Sequence, residues 1–347
     1  MAEREEGVVL KWCLKEGRNG GYGFIERSDG SQIFCHRNAI RRGDALQEHT
    51  LVSFRTVPNP SKGRHCLQAA DVEGGVCFAF LHATCPRQSG CPFSHTPPPP
   101  PPAPPPLDEL VASIHASRGH SPPLFVDTLS ECEAQCARLA REGEVAVDFE
   151  GVDLGRGGEL LLAQLASPTP PAVILDIAKL QAAAFEEGGL RALLESPRVL
   201  KLVYDGRADA DALYHLYGVR LLNVCDCQIL FTLHLDGFGR TTHLPGLGRA
   251  LAARGDAGSR ELTQLKSAVG RLFIPDKGGS YEVWRERPLR AALLEYAACD
   301  VCALHDFKRL WGGLIDAAEM RRLAERRIRT TIEGDGAKGQ HMSERDF

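Results

Sequence analysis

The sequence predicts a multidomain chain: a small β-rich front domain, a short segment bearing cysteines and a histidine, and a larger α/β domain with helices packed on a mixed sheet. Three observations predict it. Residues 7–72 read as short strands separated by glycine-rich turns. Cys77, Cys85, Cys91 and His95 follow with C-x7-C-x5-C-x3-H spacing, ahead of a run from Pro97 to Pro106 broken only by Ala103. From Leu124 onward, apolar runs of strand length alternate with helical periodicity.

The 347 residues suffice for two or three domains at roughly 100–200 residues each. A formal charge of -4 excludes a uniformly basic nucleic-acid binder, although it leaves room for local basic patches. No apolar run approaches the ~18 residues needed to span a bilayer, so no membrane partner is expected. The start, Met1-Ala2-Glu3-Arg4-Glu5-Glu6, has no apolar segment of the kind that directs secretion. An intracellular protein, cytoplasmic or nuclear, is the expectation. In that compartment the 12 cysteines read as thiols or metal ligands rather than disulfides. Oligomeric state has no signature here.

In the front domain, Gly7 to Trp12 is strand-like and residues 17–21 form a turn. Tyr22 to Arg27 and Gln32 to His36 then flank a Ser28-Asp29-Gly30 turn, which reads as a hairpin. Alternation puts Tyr22 with Phe24, and Phe34 with His36, on one face. Such rings are core or a stacking platform. The wording Val9-Leu10-Lys11-Trp12, Gly21-Tyr22-Gly23-Phe24-Ile25 and Ile33-Phe34-Cys35-His36-Arg37-Asn38-Ala39-Ile40 resembles the cold-shock domain in order and spacing. The resemblance implies a five-stranded OB-type barrel over residues 7–72 that binds single-stranded RNA or DNA by base stacking. Trp12, Tyr22, Phe24, Phe34 and His36 would form the platform. Gly20 departs from the family, which usually has a lysine there.

Three thiolates and an imidazole at Cys77, Cys85, Cys91 and His95 suit one closed tetrahedral Zn²⁺ site, and a segment this short needs such a staple to fold. Phe78, Phe80 and Phe93 are interleaved. The pattern resembles the CCCH zinc finger, placed at 74–96, which implies contact with single-stranded RNA. The alternative is a staple that touches no nucleic acid. His82 is a competing ligand by position, but only His95 fits the family spacing. The prolines read as a linker over 97–121 of polyproline II type.

In the α/β part, Ser130 to Arg141 reads as a helix with Cys132, Cys136 and Leu139 on its apolar face. Glu144-Val145-Ala146-Val147-Asp148-Phe149-Glu150 reads as a buried strand ending in two acids on one face, close enough to hold one hard cation. Residues 160–166 and 172–177 add strands, giving an antiparallel meander, and 199–204 adds another. Further acids stand at the ends of buried elements. Asp205, Asp209 and Asp211 lie where a strand enters a helix, and Asp226 lies in a second such place. Tyr296 and Asp300 are one turn apart on a helix that is otherwise apolar on that side.

Together, residues 122–316 resemble the DEDDy 3′–5′ exonuclease domain of the ribonuclease D type, on a ribonuclease H-like fold. Asp148-Phe149-Glu150 matches the first motif. Counting back from Tyr217-Gly218-Val219 puts the second catalytic acid on Asp209, leaving Asp211 as a helix-face acid; the two are not separable from spacing alone. Tyr296 and Asp300 match the third, after Trp284-Arg285-Glu286-Arg287-Pro288-Leu289. Tyr204 departs from a usual histidine, and Asp226 falls on a structural position. The resemblance implies two Mg²⁺ or Mn²⁺ ions. Asp148 would bridge them, Glu150 and Asp300 would hold the ion that activates water, Asp209 would support the second, and Tyr296 would orient the water.

The expected function is hydrolysis of phosphodiester bonds in RNA or single-stranded DNA, with RNA favoured by the two front modules. The rival reading is a catalytically silent RNA-binding adaptor. A third reading makes the front modules merely structural. Cys299/Cys302 and Cys225/Cys227 read as packing, and Gly246 and Gly248 are too isolated for a phosphate loop. Residues 317–347 are expected to be a basic helix end, with Arg321, Arg322, Arg326, Arg327 and Arg329 on a solvated face, and then a disordered tail from Gly334.

Overall fold

In the front unit every strand but one pairing is antiparallel, and the sheet closes on itself. The computed structural model describes residues 4–14, 21–27, 32–59, 63–77, 79, 85–87, 91–96, 106–118, 121–236, 244–254 and 257–336. The chain divides into two compact units, Met1–Pro104 and Pro105–Phe347. The first is built from β1 (Arg4–Leu14), β2 (Gly21–Arg27), β3 (Gln32–His36), β4 (Leu51–Asn59) and β5 (Gly63–Glu73), a closed barrel in the order β1-β2-β3-β5-β4 with β3 and β5 parallel. The expected alternation holds on the hairpin. Ile25, Ile33 and Cys35 are buried with Val9, Val52 and Phe54, while Tyr22, Phe24 and Phe34 face outward, half-buried.

A register shift between Val9 and Lys11 brings Trp12 opposite Gly23. There its indole lies against Gly21 and Gly23, where a Cβ would come within 2.8 Å and 2.6 Å of the ring. The cysteine-bearing segment is tied to the barrel through the backbone. Val76 N–H donates to Ala45 O at 2.9 Å, Cys77 N–H to Ser94 O at 2.8 Å, and Ser94 N–H to Arg42 O at 3.0 Å. Phe78, Phe80, His82, the Ser28–Gly30 turn, Gly20 and Pro97 to Pro105 lie outside the described residues.

The second unit opens with α1 (Leu107–Arg118), then β6 (Leu124–Val126), α2 (Leu129–Arg141), β7 (Glu144–Val152), β8 (Glu159–Ala166) and β9 (Val173–Asp176). After three short helices come β10 (Leu200–Val203), α3 (Arg207–Tyr217), β11 (Val224–Asp226), α4 (Cys227–Asp236), α5 (Leu247–Arg254), α6 (Ala257–Phe273), α7 (Ala291–Trp311) and α8 (Ala317–Glu333). Six strands form one sheet in the order β11-β10-β7-β8-β9-β6. The β7-β8-β9 meander is antiparallel, as its short turns require, and β10 runs parallel to β7 after a helical crossover. Val145, Ala146 and Val147 of β7 are at most 1% exposed, which fits a central strand covered on both faces.

Two segments depart from expectation. The linker expected over 97–121 contains α1, which buries Leu110, Val111 and Ile114 and packs on α6. The compact unit continues past 316: α8 packs on α3 and β11 through Met320, Leu323, Ala324, Arg327 and Ile328. Arg327 is therefore buried rather than on a solvated face. It sits on the apolar stripe of the helix, where Asp226 and Asp205 receive it. No described helix is long and apolar enough to cross a membrane.

Candidate active site

Asp148 and Glu150 stand one residue apart on β7, on the same side, each keeping an edge open to solvent while Phe149 between them is buried. The strand ends its regular pairing just past them. A bulge falls between Glu150 and Gly151, and a Cβ on Gly151 would collide with Glu159 O at 1.8 Å, so only glycine allows β8 this close. Helix α7 packs across β7 and β8 and brings Asp300, which is buried. Ligand oxygens of Asp148, Glu150 and Asp300 lie within 4.8 Å of one another. That is a spacing one cation can bridge.

The second expected acid arrives differently. β10 lies beside β7, and the chain turns through Asp205, at a φ of 60°, into α3 with Asp209 in its first turn. Asp209 is not part of the trio of mutually close oxygens. It is nonetheless buried, and its charge bears on Asp148 more than any other carboxylate's. Burial, with Asp205 and Asp226 nearby, pushes the Asp209 carboxyl up to about 8. Asp211 points elsewhere. It accepts from the Arg156 backbone N–H at 2.8 Å and the Arg156 guanidinium at 2.7 Å, with His215 at 3.6 Å.

Electrostatics make the acid group strained as it stands. Burial and then the charges of Asp209, Asp300 and Glu150 drive the Asp148 carboxyl well above its ordinary range. Burial and Asp300 do the same to Glu150, and burial raises Asp300. Lys266 of α6 opposes all three shifts. Its ammonium donates to Asp300 Oδ1 and lies 3.9 Å from the centroid of the Tyr296 ring. Burial disfavours this ammonium, but Asp300 and Tyr296 outweigh it and raise its pKa. Tyr296 is held in place by Phe273 at 5.1 Å and Trp284 at 6.2 Å between ring centroids. Burial pushes its phenol above the usual range.

Sequence reasoning passed over two of these neighbours. Lys266 occupies the buried stripe Leu262, Val269, Phe273 of α6, so a lysine at apolar spacing was the available signal. Gln164 is the lone polar residue in the run Leu160 to Ala166 and sits directly opposite Asp148 in the β7/β8 register. It is fully buried, and neither amide atom has a hydrogen-bond partner among the described residues. A group left that way is costly unless something in the site engages it.

In the front unit, the rings of Tyr22 and Phe34 stack at 5.9 Å, with Phe24 edge-on at 6.3 Å and 6.0 Å. His36 adjoins them, exposed, opposite Tyr22 in the register, its Nδ1 accepting from Asn38 N–H at 3.3 Å. Trp12 is not grouped with them. It is turned to the glycine side of the hairpin against the barrel core, with Nε1 buried. Ligand atoms of Cys77, Cys85, Cys91 and His95 lie within 4.8 Å of one another, a set that can hold a metal ion.

Residues 123–312, more than half of the chain, match the 3′–5′ exonuclease family. The chain belongs to that family. Among curated relatives, the piRNA biogenesis protein EXD1 of Mus musculus is 29% identical over 180 residues, covering 49% of this chain and 29% of that protein. Ribonuclease D of Gluconacetobacter diazotrophicus is 26% identical over 193 residues, covering 55% and 43%. The chain thus spans less than half the length of these relatives. The crystal structure of Trypanosoma brucei RNase D in complex with RNA U12 superposes with a TM-score of 0.54 at 22% identity, over 68% of this chain and 81% of that one. That likeness shows the fold. The exonuclease-family match contains Asp148, Glu150, Asp209, Tyr296 and Asp300, and it ends before α8 begins.

Proposed function

We propose that the chain is a metal-dependent 3′–5′ exonuclease that hydrolyses phosphodiester bonds of RNA. Its front unit holds single-stranded RNA through a cold-shock-like aromatic face and a zinc-loaded CCCH segment. The observation that carries the enzymatic reading is the meeting of Asp148, Glu150 and Asp300 within 4.8 Å. Oxygen donors of this kind suit Mg²⁺ or Mn²⁺, and mutually repelling buried carboxylates fit a divalent ion better than they fit each other. Asp148, Glu150 and Asp300 would hold the first of two such ions, and Asp209 would support the second. When bound, such ions would supply Lewis acidity to make water a nucleophile at neutral pH and to neutralise the departing oxygen.

The chain's own groups set the geometry. Tyr296, wedged by Phe273 and Trp284, presents its hydroxyl to the attacking water and fixes its approach. The water oxygen bonds to phosphorus as the bond from phosphorus to the 3′ oxygen breaks. The terminal nucleotide leaves as a 5′-monophosphate, and the shortened strand keeps a 3′-hydroxyl. Tyr22, Phe24, Phe34 and His36 offer rings for base stacking, worth about 1–3 kcal/mol per base. Trp12 supports that face from behind.

One observation favours a second reading, a silent RNA-binding adaptor: Lys266 already supplies a cation to Asp300. The deciding experiment uses matched RNA and DNA oligonucleotides, labelled at the 5′ end, with free and blocked 3′ ends, in Mg²⁺ and in Mn²⁺. A ladder shortening from free 3′ ends, stronger on RNA, is expected. Tight RNA binding with no ladder under either metal would leave the adaptor.

A further inference from the structure

The lysine at the acid group has no counterpart among the roles already assigned. Lys266 lies on the buried stripe of α6, where its ammonium is ion-paired with Asp300 Oδ1 and rests on the Tyr296 ring. Its side chain is 15% exposed and that of Asp300 is 7% exposed, so the pair is shielded from bulk water. Asp300 is also one of the three acids able to grip a divalent ion. The two cations want the same carboxylate. An ammonium beside a divalent ion in such a place is repelled strongly, because little solvent screens it. Loading the ion on Asp300 therefore weakens the ammonium's hold on that carboxylate. Its flexible four-carbon stem permits a swing, and the anion that a nucleotide brings is phosphate.

Building on the exonuclease reading, we infer that Lys266 is an exchangeable counter-ion: it holds Asp300 in the resting site, yields it to the divalent ion, and transfers to a phosphate of the incoming nucleic acid. Metal and nucleotide then strengthen each other's binding. The reciprocity is required by linkage, since each relieves the same displaced charge. The device would keep the site poorly metallated until substrate arrives.

The test is Mn²⁺ binding to the full chain, followed by calorimetry and by the electron spin resonance of free Mn²⁺. It needs no turnover. Adenosine 5′-monophosphate serves as the phosphate probe because it presents no diester to cleave. Lys266→Met is expected to bind Mn²⁺ at least tenfold more tightly than the wild type without nucleotide. The monophosphate should tighten Mn²⁺ binding to the wild type several-fold and tighten it much less in Lys266→Met. Lys266→Arg, which keeps the charge, should stay near the wild-type affinity. Should Lys266→Met fail to fold, Lys266→Gln replaces it with the same expectation.

Equal Mn²⁺ affinity in the wild type and the uncharged variant, with that binding abolished by Asp148→Asn, overturns the counter-ion role and leaves the exonuclease reading intact. A gain in Lys266→Arg as large as in Lys266→Met also overturns it, because packing rather than charge would then be responsible. If no variant shows Mn²⁺ binding that depends on Asp148, the metal-dependent reading falls and the counter-ion role falls with it.

Discussion

Asp148, half-buried on β7, is crowded by Asp209, Asp300 and Glu150. Asp148→Asn removes one charge from that crowd. Hydrolysis is expected to drop by a factor on the order of 10²–10³ or more, as when preorganised charge stabilisation is lost. The melting temperature of the metal-free protein should hold or rise, because the repulsion is eased. Wild-type activity in this variant would refute the site. At this scale much was legible. Alternation along a strand paired Asp148 with Glu150, and helical spacing paired Tyr296 with Asp300. Spacing could not choose between Asp209 and Asp211, and the ion pair that occupies Asp211 comes from Arg156, 55 residues away in sequence. Lys266 and Gln164 carried a local sign, a polar group on an apolar stripe, but its meaning depends on which acid lies opposite in the fold.

Helix α8 shows how an element can be misjudged from its charge. Its arginines suggest a solvated face, yet the period of Met320, Leu323, Ala324 and Ile328 gives it an apolar stripe, and Arg327 lies on that stripe. The guanidinium donates to Asp226 at 2.5 Å and to Gln228 at 2.7 Å, and reaches Asp205 at 3.2 Å. Arg327→Met would leave the buried Asp226 without its cation, while Asp205 keeps Arg207, so unfolding in urea should show a loss of about 3–5 kcal/mol. No loss would mean that α8 docks by its apolar residues alone.

At the other end of β7, Glu144 accepts from His305, at 2.9 Å, and from Lys308, which binds the strand to α7. These partners, the His305 hydrogen bond first, hold the Glu144 carboxyl below its ordinary value of 4.5. A depressed acid stabilises the fold above its unfolded pKa and ceases to as pH falls through the folded one. Glu144→Gln should therefore cost about 1 kcal/mol at pH 7, and the gap should close as pH falls below the ordinary 4.5 and through the depressed value. Thermal melts across that range check it; a gap independent of pH would assign the effect to packing.

For the whole molecule, the two units make separable claims. On the proposed zinc reading of the Cys77, Cys85, Cys91 and His95 set, Cys91→Ala should abolish zinc content, read by atomic absorption, and weaken binding of long RNA while hydrolysis of a short oligonucleotide stays within about twofold of wild type. Unchanged zinc content would unseat the Cys77, Cys85, Cys91 and His95 site. The division into units was legible because composition changes sharply at the prolines. The reach of the second unit was not, since α1 and α8 declare themselves only by what they bury.

The β2–β3 hairpin reverses the ordinary placing of bulk: glycines and Ile25 face the barrel interior while Tyr22, Phe24 and Phe34 look out. Greasy rings left half-covered in a cluster invite company. Unless they are given bases to cover them, molecules should cling to one another or carry stowaway nucleotides through purification, visible as excess ultraviolet absorbance and a loss of monodispersity. Phe24→Ser should cure both, making handling in the test tube an independent witness to what that face is for.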